Sequence, residues 1–243
     1  MSRTKFVMLS LVVVFGVTAM ASAPALAASP VYEVCTKVTA GTGEWDDHTC
    51  STNGANKKEW EDEPLSGSNG AQTYAIVGTS QISILAGSIG AVKVEIECTK
   101  DRIDGYIAPQ GRDSVIVKYE ECALFEVVGS ERKSLGACTI PNITTNKIKS
   151  KLLSASEVEF APESGTVFAE IKIEGAACAL KSTQKVEGTQ NCALPESEKQ
   201  LITHETDCKT TGSKLELGKK TATYSGKVHI KLVNEWGWRV KLR

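Results

Sequence analysis

The chain has no excess of one charge: 28 Lys and Arg side chains stand against 29 Asp and Glu, a formal net charge of −1. Nucleic acid and anionic membrane surfaces call for clustered positive charge, so neither is expected as a partner. Histidine is scarce, with only His48, His204 and His229, which leaves few positions for a general base near neutral pH. No CxxC occurs, so the thioredoxin-type exchange motif is missing, and the wide cysteine spacings do not match a zinc site. After residue 17 no apolar run approaches the roughly 20 residues that a membrane-crossing helix needs, so no membrane span is expected in the mature chain.

Catalytic signatures are missing as well. The nearest approach to a serine-hydrolase elbow is Ala86-Gly87-Ser88-Ile89-Gly90, which lacks the first glycine of GxSxG. It is also followed by a strand pattern instead of the helix that supports an exposed nucleophile. Gly41 and Gly43 begin a GxG, but Asp46 stands where the third glycine belongs and no βαβ pattern surrounds it, so no nucleotide site is expected. No catalytic residue, cofactor ligand or metal ligand is assigned from the sequence.

What is present begins with the grammar of an export signal. Arg3 and Lys5 give a positive start, residues 6–17 form an apolar stretch, and Ala25-Leu26-Ala27 fits the small-x-small pattern before a cleavage after Ala27. Cleavage after Ala23 would place Pro24 beyond the scissile bond, and cleavage after Ala28 would place Leu26 poorly. The mature chain is then expected to be secreted, with 26 basic and 29 acidic side chains. All eight cysteines, Cys35, Cys50, Cys98, Cys122, Cys138, Cys178, Cys192 and Cys208, lie beyond Ala27. An even set in an exported chain reads as a disulfide framework.

From residue 72 onward the apolar period is two. In 91–99, Val92, Val94, Ile96 and Cys98 alternate with Lys93, Glu95, Glu97 and Thr99, a half-buried strand. Residues 166–174 and 226–233 repeat the pattern, and shorter candidates lie at 73–77, 81–85, 114–120, 124–128, 147–153, 157–160 and 201–208. Gly78, Gly87 with Gly90, Asp104 with Gly105, Gly129, Gly165, Gly175, Gly188, Gly212 and Gly218 are read as the turns between them. Ser154 to Glu157 spells a capping box, but Val158, Glu159 and Phe160 then alternate before Pro162, so no helix follows. Many short strands without helices predict an all-β fold, an antiparallel β-sandwich or barrel-like domain.

Residues 28–70 are polar, weakly alternating and carry Cys35 and Cys50. They are read as a small disulfide-bridged N-terminal cap, joined through 64–70 to a β domain over 71–243. Trp45 and Trp60 fall in the cap, and Trp236 and Trp238 near the other end. Because chain termini often lie close together, the cap is expected to pack on the last strand. For the bridges, a hairpin around 124–135 favours Cys122 with Cys138, worth about 3 kcal/mol by loop entropy. Cys35 with Cys50 and Cys192 with Cys208 are the next most local pairs, leaving Cys98 with Cys178. The rival arrangement pairs Cys98 with Cys122 and Cys138 with Cys178.

The remaining side chains of chemical interest have ordinary structural readings. His229, between Lys227 and Lys231, reads as solvated surface. His204 beside Glu205 and Asp207 reads as a member of a charge pair, and His48 beside Asp46 and Asp47 as part of a hydrated loop. Adjacent acids such as Glu61-Asp62-Glu63 and Glu120-Glu121 would serve a glycosidase only if two of them faced across a cleft. Asn142-Ile143-Thr144 matches a glycosylation sequon. Trp236 and Trp238 would share one face of a strand, a candidate ligand face for stacking on a sugar or anchoring a partner, unless the cap buries them.

The stretches Cys35 to Gly41, Gly43, Trp45 to Cys50, Ile96 to Asp101, Val158 to Gly165 with Phe168, Val186 to Cys192, Gly212 to Leu217 and Ala222 to Gly226 together resemble a type of exported protein of unknown function found in high-GC Gram-positive bacteria. The resemblance implies a secreted, disulfide-bearing β protein and brings no functional residues. The functional expectation is an exported, non-enzymatic β protein with a structural or binding role, its partner a cell-envelope component or a glycan. A carbohydrate-binding module using Trp236 and Trp238, and a secreted hydrolase with a site assembled from distant strands, are the alternatives.

Overall fold

The structure, a computed structural model, describes residues 28–53, 56–65, 73–109, 112–208 and 212–243. The signal segment 1–27 and most of the linker at 64–70 lie outside the described residues. Every regular element among the described residues is a β-strand and every pairing is antiparallel, as the period-two pattern requires. The chain runs β1 (Pro30–Lys37), β2 (Trp60–Pro64), β3 (Tyr74–Ile89), β4 (Val92–Ile107), β5 (Ser114–Val128), β6 (Glu131–Ser134), β7 (Ile143–Thr144) and β8 (Ile148–Ser154). It continues through β9 (Glu157–Pro162), β10 (Val167–Ile173), β11 (Ser182–Ala193), β12 (Thr203–Cys208), β13 (Lys214–Leu217), β14 (Lys220–Leu232) and β15 (Trp238–Leu242).

Eight of these strands pair around a ring in the order β9-β11-β12-β14-β3-β4-β5-β8 and back to β9. The joints differ in strength. β3 and β4 pair along most of their 16-residue lengths, whereas β5 meets β8 only at Val115↔Ile148, and β11 meets β12 only at Cys192↔Cys208 and Ala193↔Asp207. Closing a sheet in this way removes exposed edges, and eight strands leave an interior that side chains or one small ligand can fill. The inward set of β4 includes Val94, Ile96 and Cys98, all buried, while Lys93 and Thr99 are exposed.

Several glycines read as turns lie inside strands, Gly87 within β3 among them. Gly78 and Gly105 sit inside uninterrupted β3 and β4. The neighbouring strand approaches both closely, to the point of overlap at Gly105. A Cβ on Gly105 would lie 2.3 Å from the Ser114 carbonyl oxygen and 2.7 Å from Val115 Cα, and one on Gly78 would lie 3.1 Å from the His229 carbonyl oxygen. Gly188 is also internal to a strand. At φ +111° it bends β11 where its partners change: Ser182 to Thr189 pair with β10 and β13, and Gln190 to Ala193 with β9 and β12. β10 and β13, which pair with the first part of β11, lie outside the ring of eight.

The disulfides are Cys35–Cys50, Cys98–Cys122, Cys138–Cys178 and Cys192–Cys208. The hairpin pairing of Cys122 with Cys138, and with it Cys98 with Cys178, is overturned in favour of the rival arrangement. Cys98 and Cys122 are direct cross-strand partners on β4 and β5, with Cα atoms 4.0 Å apart. Cys138 instead adjoins the Thr139↔Glu174 bridge, which brings it to Cys178.

The N-terminal segment does not form a sheet by itself. β1 lies between β2 and the last strand β15, and Ser29 and Arg243 exchange both backbone hydrogen bonds. Glu33, fully buried on β1, accepts from Arg239 Nε at 2.7 Å and Arg243 Nε at 2.6 Å, and Arg239 also donates to Asp62 at 2.9 Å. Burial pushes the Glu33 carboxyl upward, but the two guanidinium groups outweigh it and hold it below the ordinary value. This clamp fastens β1 to β15 over one end of the ring, where Tyr32 donates to or accepts from Ser150 of β8 at 3.0 Å.

Candidate functional site

The strands of the ring line an apolar, partly open cavity of about 160 Å³. Its walls come from every strand of the ring: Ile76 and Leu85 on β3, Ile96 and Ile103 on β4, Val115 and Val117 on β5, Ile148 on β8, Val158 and Phe160 on β9, Val186 on β11, and Val228 and Ile230 on β14. Cys192 and Cys208, which join β11 to β12 at one of the thin joints, also line it, as does Cys98 on the opposite wall. Tyr32 and Trp238 border it from the terminal sheet.

Few polar groups interrupt these walls, and they are organised. Asp101, 6% exposed, accepts hydrogen bonds from Ser80 N at 2.6 Å, from the Ser80 hydroxyl, and from Ser83 Oγ at 2.9 Å. Tyr224 donates to Ser83 Oγ at 3.0 Å and Tyr119 donates to Tyr224 Oη at 3.3 Å. Ser83, Asp101, Tyr119 and Tyr224 all line the cavity. Burial raises both phenols above the ordinary tyrosine value, the other phenol and Asp101 acting in the same sense on Tyr119. Elsewhere on the wall Asp113 accepts from Ser150 N at 2.6 Å. Thr206 Oγ1 and Trp238 Nε1 are buried without a hydrogen-bond partner among the described residues, and both residues border the cavity.

The residues singled out in the sequence fall mostly elsewhere. Trp236 and Trp238 do not form a common exposed face. Trp238 opens β15 and is 3% exposed, its ring 6.1 Å from Tyr32 and 4.2 Å from His204. Trp236 precedes the strand and meets Trp60 edge-on at 5.4 Å, with Tyr74 at 6.2 Å. The face-sharing expectation requires both indoles on an extended strand, and only one is there. Trp60 and Trp236 thus join the N-terminal segment to the last turn, and Trp45 is bridged to Trp60 through the backbone.

His204 is not in a charge pair. It is buried, its Nε2 lies 2.6 Å from the Trp238 carbonyl oxygen, and burial lowers its pKa below the ordinary value against the opposing pull of that hydrogen bond and of Glu196. The imidazole contacting Glu205 is His229, at 3.6 Å on the surface. His48 lies against Trp60 at 6.1 Å. Its neighbours Asp46 and Asp47 fold their own loop: Asp47 accepts from Thr49 N at 2.8 Å and Thr52 N at 2.6 Å, and Asp46 from Lys57 N at 2.7 Å and Lys58 N at 2.8 Å. Partial burial pushes the Asp47 carboxyl up, but the Thr49 and Thr52 hydrogen bonds hold it well below the carboxylate range. Of the acid clusters, Asp62 pairs with Arg239, Glu63 accepts from Thr36, and Glu121 pairs with Lys100.

Tyr119, Tyr224, Ser83 and Asp101 were not singled out by the sequence. One signal was legible: Asp101 is in phase with Ile103 and Ile107 on β4, so the alternation that places those two inward also places a carboxylate inward. No family model, no curated protein and no solved structure matches this chain.

Proposed function

We propose that this chain is an exported binding protein whose barrel interior holds one small, largely apolar molecule. The observation that carries the reading is the cavity of about 160 Å³ inside a ring of paired strands, walled by aliphatic side chains and bordered by a few buried polar groups. Concave apolar sites with a few fixed polar atoms are the usual form of small-molecule sites, and cavities of about 150 Å³ with comparable walls accept benzene. Two features support the exported compartment in this reading: the export grammar ending at Ala27, and four disulfides on a domain that has its own core. No helix among the described residues is long and apolar enough to cross a membrane.

The experiment is a calorimetric titration of the oxidised protein with toluene, alongside thermal unfolding at rising toluene concentration. A single saturable site, with a melting temperature that climbs with ligand as mass action requires, supports the proposal. An absence of both heat and stabilisation up to the solubility limit of toluene overturns it.

A further inference from the structure

The polar corner of the cavity has a fixed direction, and that direction selects the ligand. Asp101 takes hydrogen bonds from Ser80 N, Ser80 Oγ and Ser83 Oγ. A serine hydroxyl has one proton. With its proton committed to Asp101, Ser83 can only accept from Tyr224, at 3.0 Å. Tyr224 has then spent its own proton and can only accept from Tyr119, at 3.3 Å. The chain of donors runs one way, Tyr119 to Tyr224 to Ser83 to Asp101, and its open end is the Tyr119 phenol oxygen, which has acceptor capacity but no proton to offer.

The rest of the wall restricts the ligand's charge. Among the described residues lining the cavity, the charged side chains are Asp101 and Asp113, and no Lys, Arg or His is among them. An anionic ligand would lose its hydration without gaining a cationic partner, at a cost that excludes it.

Resting on the binding function proposed above, we infer that the ligand is a small, non-anionic molecule with an apolar body and a hydroxyl group, of the alcohol or phenol class, whose hydroxyl donates to the oxygen of Tyr119. An apolar body fills the aliphatic walls, and the donated proton completes a relay that otherwise ends in an unused acceptor. Ligands of equal size without a donor gain nothing at this corner.

The test compares probes of nearly equal volume on the intact, oxidised protein by calorimetry: toluene, phenol, anisole and benzoate. The expected result is phenol binding about 2- to 12-fold more tightly than toluene, the range for one net hydrogen bond, with benzoate not binding. In Tyr119→Phe the phenol-to-toluene ratio falls to one or below, because the phenol hydroxyl is then buried without its acceptor. Tyr224→Phe supplies an independent reading. It frees the Tyr119 proton, so anisole, which only accepts, gains on toluene relative to the parent protein.

Toluene failing to bind the parent protein sinks the binding function itself. Toluene binding with phenol no tighter, benzoate binding as well as phenol, or a phenol preference that survives Tyr119→Phe overturns the ligand class while leaving the cavity's role standing. An anisole-to-toluene ratio unchanged by Tyr224→Phe overturns the assigned direction of the relay.

Discussion

Gly105→Ala is the substitution that tests the closure of the ring most sharply. Gly105 is opposite Val115 in the β4–β5 ladder, and Val115 is the one residue through which β5 pairs with β8, at Ile148. The added methyl would lie 2.3 Å from the Ser114 oxygen and 2.7 Å from Val115 Cα, both backbone atoms that no rotamer change can move. Relief requires β5 to withdraw by on the order of 1 Å, given carbon contacts near 3.5 Å, and that motion pulls on the thinnest joint of the barrel. Overpacking of this kind costs about 1–3 kcal/mol, which for a chain of this size lowers the melting temperature by about 2–12 °C. The matched control is Gly136→Ala, where a new Cβ meets nothing within 4 Å, and surface changes of that kind stay within about 0.5 kcal/mol. Thermal unfolding followed by circular dichroism decides. Equal melting temperatures for the two variants would refute the close β4–β5 approach and the ring geometry built on it.

Three further outcomes follow from particular contacts. Peptide mapping without reduction is expected to return Cys98–Cys122 and Cys138–Cys178 alongside the two local bridges, and recovery of Cys122–Cys138 would contradict the β4–β5 register. Glu33→Ala removes the acceptor of two guanidinium groups, but Arg239 keeps Asp62 and Arg243 is half exposed, so the expected loss by denaturant titration is about 1.5–3 kcal/mol, the range for hydrogen bonds to charged groups; a loss under about 0.5 kcal/mol would show that the clamp does not hold β1 to β15. His204 has a folded pKa lowered by burial, so the unfolded chain takes up a proton that the folded chain resists. Its contribution is therefore complete above the ordinary histidine value of 6.5 and is lost as the pH falls below it. Stability measured from pH 7.5 to 5 should decline more steeply for the parent protein than for His204→Gln, and parallel curves would argue against a neutral buried imidazole.

The all-β character was legible because alternation survives along most of the chain: Val94, Ile96 and Cys98 declare their face without help from tertiary structure. Strand lengths were not, because Gly78 and Gly105 carry the same letter as a turn glycine, and only the approach of His229 or Ser114 from another strand distinguishes the two. Cys35–Cys50 and Cys192–Cys208 were legible as local pairs, but the preferred pairing of Cys122 failed for a related reason. Proximity in sequence suggested Cys122 with Cys138, whereas the register of the β4–β5 ladder, which spans Val94 to Tyr106 on one strand and Ser114 to Glu126 on the other, brings Cys98 to Cys122. The Trp236 and Trp238 face was misread because period-two geometry holds only inside a strand, and β15 begins at Trp238. The cavity itself could not be read locally. Its polar corner draws Ser83, Asp101, Tyr119 and Tyr224 from four strands, and only the inward phase of Asp101 hinted at it.

The proposed binding function requires that the barrel interior admit a small apolar guest. A xenon-pressurised crystal of the oxidised protein measures this directly, since xenon enters dry apolar cavities and its position is fixed by anomalous scattering. The predicted result is a strong site inside the ring, in contact with side chains such as Ile96, Val117 and Val228. Xenon confined to the outer surface, with the interior filled by repacked side chains, would contradict it.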